Sequence, residues 1–186
     1  MNLHCIGNIT YWINLAQAEE IILTVNHTFQ KQTHLSQFDI ITSNGSLKLS
    51  IPTKKSTRKG AYCNVEIDYT AQWQVNHWRS IENAYKKSPF FLYYGYKIEE
   101  VFMQKETSLL QFNENMLRVI AKCLHMESPI SLDKNTSIFY IEIDEQEHAA
   151  YPQVFDTKWP FQPQMSILDL LFNLGPETLD YLRQTQ

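Results

Sequence analysis

The residues best suited to chemistry fall in four places along the chain. Lys54-Lys55-Ser56-Thr57-Arg58-Lys59-Gly60 sets four cations and a glycine directly after an apolar run that reads as a strand. At the C-terminal end of a strand such a loop suits an anionic ligand, for example a nucleotide or coenzyme phosphate. The plainer reading is a solvated basic loop. The spacing is neither GxxxxGKS/T nor GxGxxG, so no P-loop or dinucleotide fingerprint is present. Lys31 and His34 follow the β-branched run at 21–25. In a parallel sheet they sit at the edge where ligands usually bind, and on the surface otherwise. His77 falls on the apolar face of a helical pattern. It is either a hydrogen-bonded core histidine or a proton-transfer group, and the second role needs an orienting carboxylate. Tyr151 and Gln153, with Lys158, stand in a stretch without helical periodicity. They read equally as loop residues that orient a substrate and as a packed turn.

Other chemistries lack their residues. There is no HExxH and no clustered Cys/His set, so no metal is expected. There is no GxSxG elbow. His4 and Cys5 are neighbours on an expected strand and point to opposite faces, which disfavours a dyad. Adjacent carboxylates occur as surface-like pairs, Glu19-Glu20 and Glu99-Glu100. The 3 cysteines, at positions 5, 63 and 123, form no CxxC. They read as reduced, mostly buried thiols of a cytoplasmic protein. A formal net charge of −4 argues against nucleic-acid binding. No run reaches the length of a membrane span, and the first residues lack the basic start and apolar stretch of a signal peptide.

Positioning these residues requires a core, and 186 residues with 44% hydrophobic side chains supply one, organised as a single domain over 1–186. Residues 3–6 read as a buried first strand, Asn8 as the cap of a helix over 9–18, and 21–25 as a central strand. Strand, helix and strand within 25 residues make a βαβ unit and a parallel pair. Residues 38–42 and 47–51 flank Asn44-Gly45, a hairpin signal. Residues 62–69 alternate as a further strand or extended edge. Three helices follow, with faces Trp73/His77/Ile81/Tyr85, Phe91/Tyr94/Ile98/Phe102 and Leu109/Phe112/Met116/Ile120/Leu124. Residues 137–143 return to strand, and 142–147 form an acidic loop. Ser166 reads as an N-cap with Asp169 completing a capping box, Gly175 as the left-handed helix end and Pro176 as the first turn of a last helix. Asp169 and Asn173, four apart, share one helix face and read as structural. The sum is an α/β fold with a mixed, mostly parallel sheet, an N-terminal βαβ unit, a hairpin and several helices.

The order of residues in the last quarter resembles the WbqC-like family: Tyr151-Pro-Gln-Val-Phe155, Lys158, then Pro163-Gln-Met-Ser-Ile-Leu-Asp-Leu-Leu-Phe-Asn-Leu-Gly-Pro176, Leu179 and Tyr181-Leu182. Lys31-Gln32-Thr33, Ser50-Ile51-Pro52-Thr53, His77-Trp78, Ala84-Tyr85, Pro89-Phe90-Phe91, Tyr93-Tyr94 and Phe112-Asn113-Glu114 extend the likeness over most of the chain. Two departures stand out. Cys5-Ile6-Gly7-Asn8 replaces the family's Tyr-x-Pro turn. His34-Leu-Ser-Gln37 replaces a Tyr-Arg-Asn-Arg run, removing two bidentate anion binders.

The resemblance implies a pathway, bacterial surface-polysaccharide (including lipopolysaccharide) biosynthesis, and names no reaction or cofactor. The expectation is an accessory enzyme performing group transfer onto or from a nucleotide-activated sugar or carrier. Lys31, Lys54 and Arg58 would hold the anionic part, Tyr151 and Gln153 would orient the acceptor, and His34 or His77 would move protons. The alternative is an inactive binding or scaffolding protein of the same pathway, which the missing arginines favour. A nucleotidylyltransferase-like fold is disfavoured, since no HxGH follows the first strand.

Overall fold

A computed structural model describes residues 1–139 and 148–185. Among these, the elements run α1 (Ile9–Gln17), β1 (Ile21–Thr24), β2 (Gln37–Thr42), β3 (Gly45–Ser50), α2 (Trp73–Tyr85), α3 (Phe91–Phe102), α4 (Leu109–Cys123), β4 (Ile130–Asp133), α5 (Ile167–Leu174) and α6 (Thr178–Gln184). The architecture is α/β. Its strands form a parallel pair, β1 with β4, and an antiparallel hairpin, β2 with β3.

The N-terminal unit keeps close to the sequence pattern. Asn8 caps α1, its side-chain oxygen accepting from the Tyr11 amide at 2.9 Å. The segment before it is shorter than a full strand. It pairs in parallel with β1 through a bridge between Asn2 and Thr24, and Thr24 N donates to Met1 O at 2.7 Å. β1 therefore lies between this segment and β4. The β4 partner is a finding that no periodicity announced: Ile130-Ser-Leu-Asp133 is only four residues long and comes directly after Pro129.

Two strand expectations change. Residues 62–64 form a 3₁₀ turn, and the segment after it is tied by single bridges, Thr53 to Ile67 and Glu66 to Ser108. Val65 and Ile67 are buried as alternation requires, but each neighbouring segment makes one isolated bridge and no ladder. Ser137–Phe139 is not strand. The rest of that expectation, at 140–143, and the acidic stretch through 147 lie outside the described residues.

One hydrophobic core joins the elements. Trp12, Phe38, Tyr62, Tyr85, Phe102, Phe112 and Phe172 are fully buried in it. Phe102 is its aromatic hub, edge-on to Phe38, Trp73 and Phe112 at centroid distances of 6.5, 5.7 and 5.7 Å. Such edge-to-face contacts add about 0.5–1.5 kcal/mol each beyond burial. α5, buried along almost its whole length, packs on α1, α3 and β2, and α6 packs back on α1. The C-terminal signature is thereby folded against the N-terminal unit. No helix among the described residues is long and apolar enough to cross a membrane.

Candidate functional site

The N-terminal segment and β1 run parallel, and the loops leaving their C-terminal ends meet. The first is the turn Cys5-Ile6-Gly7-Asn8 and the second carries Lys31 and His34. Cys5 N donates to His34 O at 2.7 Å, which joins the two loops. Three rings stack across that junction. His4 lies 4.1 Å from Tyr11 at 18°, and 5.4 Å from His34 at 19°. His4 is the middle ring. It and Tyr11 are buried, while His34 is half-buried at the outer end.

The backbone here is unusual. Ile6 has φ of 63° and Gly7 of 78°, while Gln32, in the Lys31 turn, has φ of 58°. A β-branched residue at positive φ is a costly conformation that surrounding structure must enforce. The enforcing contacts are visible. Trp12 Nε1 donates to Ile6 O at 2.7 Å, and Ile167 N donates to Gly7 O at 3.1 Å. A Cβ on residue 7 would stand 2.4 Å from Tyr11 Cδ1, so glycine lets the ring close over the turn.

The C-terminal signature reaches the same place. Gln164 Oε1 accepts from Asn8 Nδ2 at 3.0 Å and from Thr10 Oγ1 at 3.1 Å. Ile9 N donates to Met165 O at 3.1 Å. Residues from positions 4–11, 31–34 and 164–167 thus converge on one corner. Sequence reasoning missed His4, Tyr11 and Gln164, since nothing in their spacing links them. Parallel pairing of the first segment was the signal that points to this edge.

The basic loop lies beside this corner. Phe29 N donates to Gly60 O at 3.2 Å, and Tyr62 N donates to His27 O at 2.8 Å. Its two named cations are occupied within the loop's own surroundings. Lys54 Nζ pairs with Glu66 at 2.7 Å, and that hydrogen bond raises its pKa. Arg58 folds back on Thr53, donating to Oγ1 at 2.8 Å and to the Thr53 carbonyl. Lys31, Lys55 and Lys59 are exposed.

His77 stands on α2 against the edge of Trp73 at 5.4 Å, and burial lowers its pKa. Its Nδ1 is buried without a hydrogen-bond partner, so no carboxylate orients it there.

Tyr151 and Gln153 lie in a different setting, a buried polar knot around Asp169. The Tyr151 hydroxyl donates to Asp169 Oδ2, and Gln153 Nε2 donates to the same oxygen at 2.8 Å. Gln153 also closes a loop with Gln162, donating to its carbonyl at 3.0 Å and accepting from its amide at 2.9 Å. Asp169 is fully buried, and desolvation pushes its pKa up to about 6 against the pull of the Tyr151, Gln153 and Tyr85 side chains. The Tyr85 hydroxyl weighs on the carboxylate in this way, although Oδ1 makes no hydrogen bond of ordinary geometry. The capping box is therefore not formed. Ser166 holds the N-cap position without a side-chain bond, and the Asp169 carboxylate turns inward. Gly175 does end α5 at positive φ, and Pro176 opens the 3₁₀ turn before α6. A lone carboxylate inside the fully buried run Ile167–Phe172 was the legible sign of this knot.

The cysteines are free, and burial pushes the Cys5 thiol well above its usual range, which makes it a poor nucleophile. Among the described residues, no group of three or more His, Cys, Asp or Glu is placed to hold a metal ion.

An α/β scaffold with its loops gathered at one strand edge is the class these features define. The model of the WbqC-like protein family matches residues 6–139 and 132–181, and the chain belongs to that family. Membership suggests a role in polysaccharide-associated processes and specifies no reaction. An uncharacterized protein of Mycobacterium tuberculosis (strain ATCC 25618 / H37Rv), Rv1507c, is 21% identical over 211 residues, covering 93% of this chain and 91% of its own. No solved structure matches at a significant level.

Proposed function

We propose that the protein is an accessory enzyme of bacterial surface-polysaccharide biosynthesis, and that it transfers a group onto or from a nucleotide-activated sugar or carrier at the His4–Tyr11–His34 corner. The observation that carries this reading is the stack of three near-parallel rings, contributed by the first segment, the first turn of α1 and the loop after β1 at a parallel strand edge, and buttressed by backbone held at positive φ. Ligands of parallel sheets bind at that edge. Strained backbone, where neighbours enforce it, marks functional positions. A flat ring stack with one half-exposed end accepts a nucleobase or sugar face. His34 forms that open end, and its imidazole is the group placed to move a proton. Exposed Lys31, three residues earlier on the same turn, supplies charge for the anionic part.

Lys54 and Arg58 enter this reading as residues that shape the basic loop, leaving Lys55 and Lys59 as its exposed charges. Tyr151 and Gln153 support the segment that carries Gln164 instead of touching the acceptor. A non-catalytic binding protein is the second reading. It is favoured by the absence of the two arginines after His34, which leaves the anion with lysines alone.

A thermal-shift panel of nucleoside triphosphates, nucleotide sugars and acyl-coenzyme A species tests the site. A ligand at 100 times its Kd adds about 2.7 kcal/mol, a rise of a few degrees in Tm. The proposal expects a hit that His34→Ala and Lys31→Ala both weaken while their own unliganded Tm stays near wild type. A hit that survives both substitutions would place the ligand elsewhere. Binding without any turnover of the bound nucleotide sugar would favour the second reading.

A further inference from the structure

The inward face of α4 carries an asparagine where the pattern calls for an apolar residue. Leu109, Phe112, Met116, Leu117 and Ile120 line that face, and Asn113 stands among them with no exposure. Asparagine is a weak helix former, and a buried amide has to be satisfied by hydrogen bonds. Asn113 is satisfied only in part, since its Oδ1 is buried without a hydrogen-bond partner. A polar group kept in a core on those terms needs an explanation other than stability.

Its donors supply one. Nδ2 donates to Leu35 O at 2.8 Å and to the Tyr62 hydroxyl at 2.5 Å, and that hydroxyl donates onward to Leu3 O at 3.3 Å. Hydrogens and acceptors balance along this buried chain, with two N–H groups, one O–H and two carbonyls at its ends. Burial pushes the Tyr62 hydroxyl well above its usual pKa, so it stays protonated and donates. The two ends lie beside the stacked histidines. Leu3 precedes His4, and Leu35 follows His34. On the other flank, Cys5 N donates to His34 O. The His4 segment and the His34 loop are thus joined twice, once directly and once through Tyr62 and Asn113. With both attachments the angle between them is fixed, whereas with one they pivot about the Cys5–His34 bond. Supporting hydrogen bonds of this kind hold a binding geometry ready before the ligand arrives.

We infer that Asn113 and Tyr62 are positioning residues for the ring-stack corner, setting the register of the His4 and His34 rings through this chain and so preorganising the site, a functional role that rests on the corner being the nucleotide-sugar site proposed above.

The experiment compares three variants. Tyr62→Phe removes the shared hydroxyl and keeps the ring, which stacks on His27 at 5.3 Å. Asn113→Ala removes both donors. Gln74→Ala is the control, because Gln74 Nε2 also joins two carbonyls, Phe102 O and Gln104 O, each at 2.8 Å, but at the end of α3. Histidine ring resonances and the affinity for UDP-N-acetylglucosamine are measured for each, with circular dichroism and Tm to establish the fold. Stacked rings shield one another's protons, and exposed His125 gives the unstacked reference. Tyr62→Phe and Asn113→Ala should move the His34 ring protons toward the His125 position and weaken binding about tenfold, the effect of one hydrogen bond at about 1.4 kcal/mol. Gln74→Ala should lower Tm and change neither. Should Asn113→Ala fail to fold, Tyr62→Phe decides, since it loses a single hydroxyl. The inference is overturned if folded Tyr62→Phe leaves the His4 and His34 resonances at their wild-type positions, or if Gln74→Ala moves them equally. If they move as expected while wild type does not bind UDP-N-acetylglucosamine, the positioning role holds and the nucleotide-sugar reading of the corner fails for that ligand.

Discussion

Replacing Asp169 by asparagine isolates the cost of keeping a carboxylate in the core. The group is fully buried, and its pKa stands at about 6 against an ordinary value of 3.8. The cause is desolvation, only partly offset by the hydrogen bonds from Tyr151 and Gln153. A raised carboxyl pKa means that the folded protein binds more protons than the unfolded chain between those two values. Stability from this group is then highest below pH 4 and falls as pH rises to 6. A rise of that size is worth about 3 kcal/mol, at about 1.36 kcal/mol per pH unit. The Asp169→Asn side chain keeps an oxygen to accept from Tyr151 and Gln153 and cannot ionise. Its amide nitrogen would occupy the place of Oδ1, which makes no ordinary hydrogen bond, at a pH-independent cost of about 1–3 kcal/mol. The slope, not the offset, is therefore diagnostic. Urea unfolding followed by tryptophan fluorescence at pH 4, 5, 6 and 7 should show the variant gaining about 2 kcal/mol on wild type across that range, the rest of the swing lying below pH 4. A difference that stays flat with pH would refute the reasoning, because Asp169 would then ionise as easily in the fold as in the unfolded chain.

Other substitutions probe neighbouring claims. Gly7→Ala should destabilise by about 1–3 kcal/mol in urea unfolding, since it combines positive φ with a Cβ pressed on Tyr11. Gln153→Ala strips Asp169 and Gln162 of partners at once and should cost about 2–4 kcal/mol by the same assay. Lys54→Ala should leave Tm unchanged by differential scanning calorimetry, because its pair with Glu66 is exposed to solvent.

Much of the scaffold was legible because its signals are local. Asn8 before an apolar stripe, Asn44-Gly45 between alternating runs, and Pro89 and Pro129 after helical faces each act within a few residues, and the elements fall there. β4 escaped notice because a four-residue strand paired only with β1 has too few positions to show a period. Residues 62–69 alternate because Val65 and Ile67 are buried, but each flanking segment pairs with them through a single bridge, too short a run to make a ladder. The site was harder still. Lys31 and His34 were recognisable from their place after a buried strand. His4, Tyr11 and Gln164 join them only through tertiary contacts, and the bond from Asn8 to Gln164 spans 156 positions of chain. Tyr151 and Gln153 were singled out as loop residues, whereas their partner is a helix carboxylate 16 to 18 residues on. Asp169 satisfied the spacing of a capping box, but two inward donors claim its carboxylate.

The central claim is that the ring stack at the parallel strand edge receives an activated sugar. The most direct measurement is a carbon-resolved nuclear magnetic resonance spectrum of the histidine ring protons, recorded while UDP-N-acetylglucosamine and then other nucleotide sugars are titrated in. The account predicts that one of them shifts the resonances of His34 and His4 together, saturably, while exposed His125 stays in place. Saturable binding that leaves both stacked histidines unmoved would contradict it.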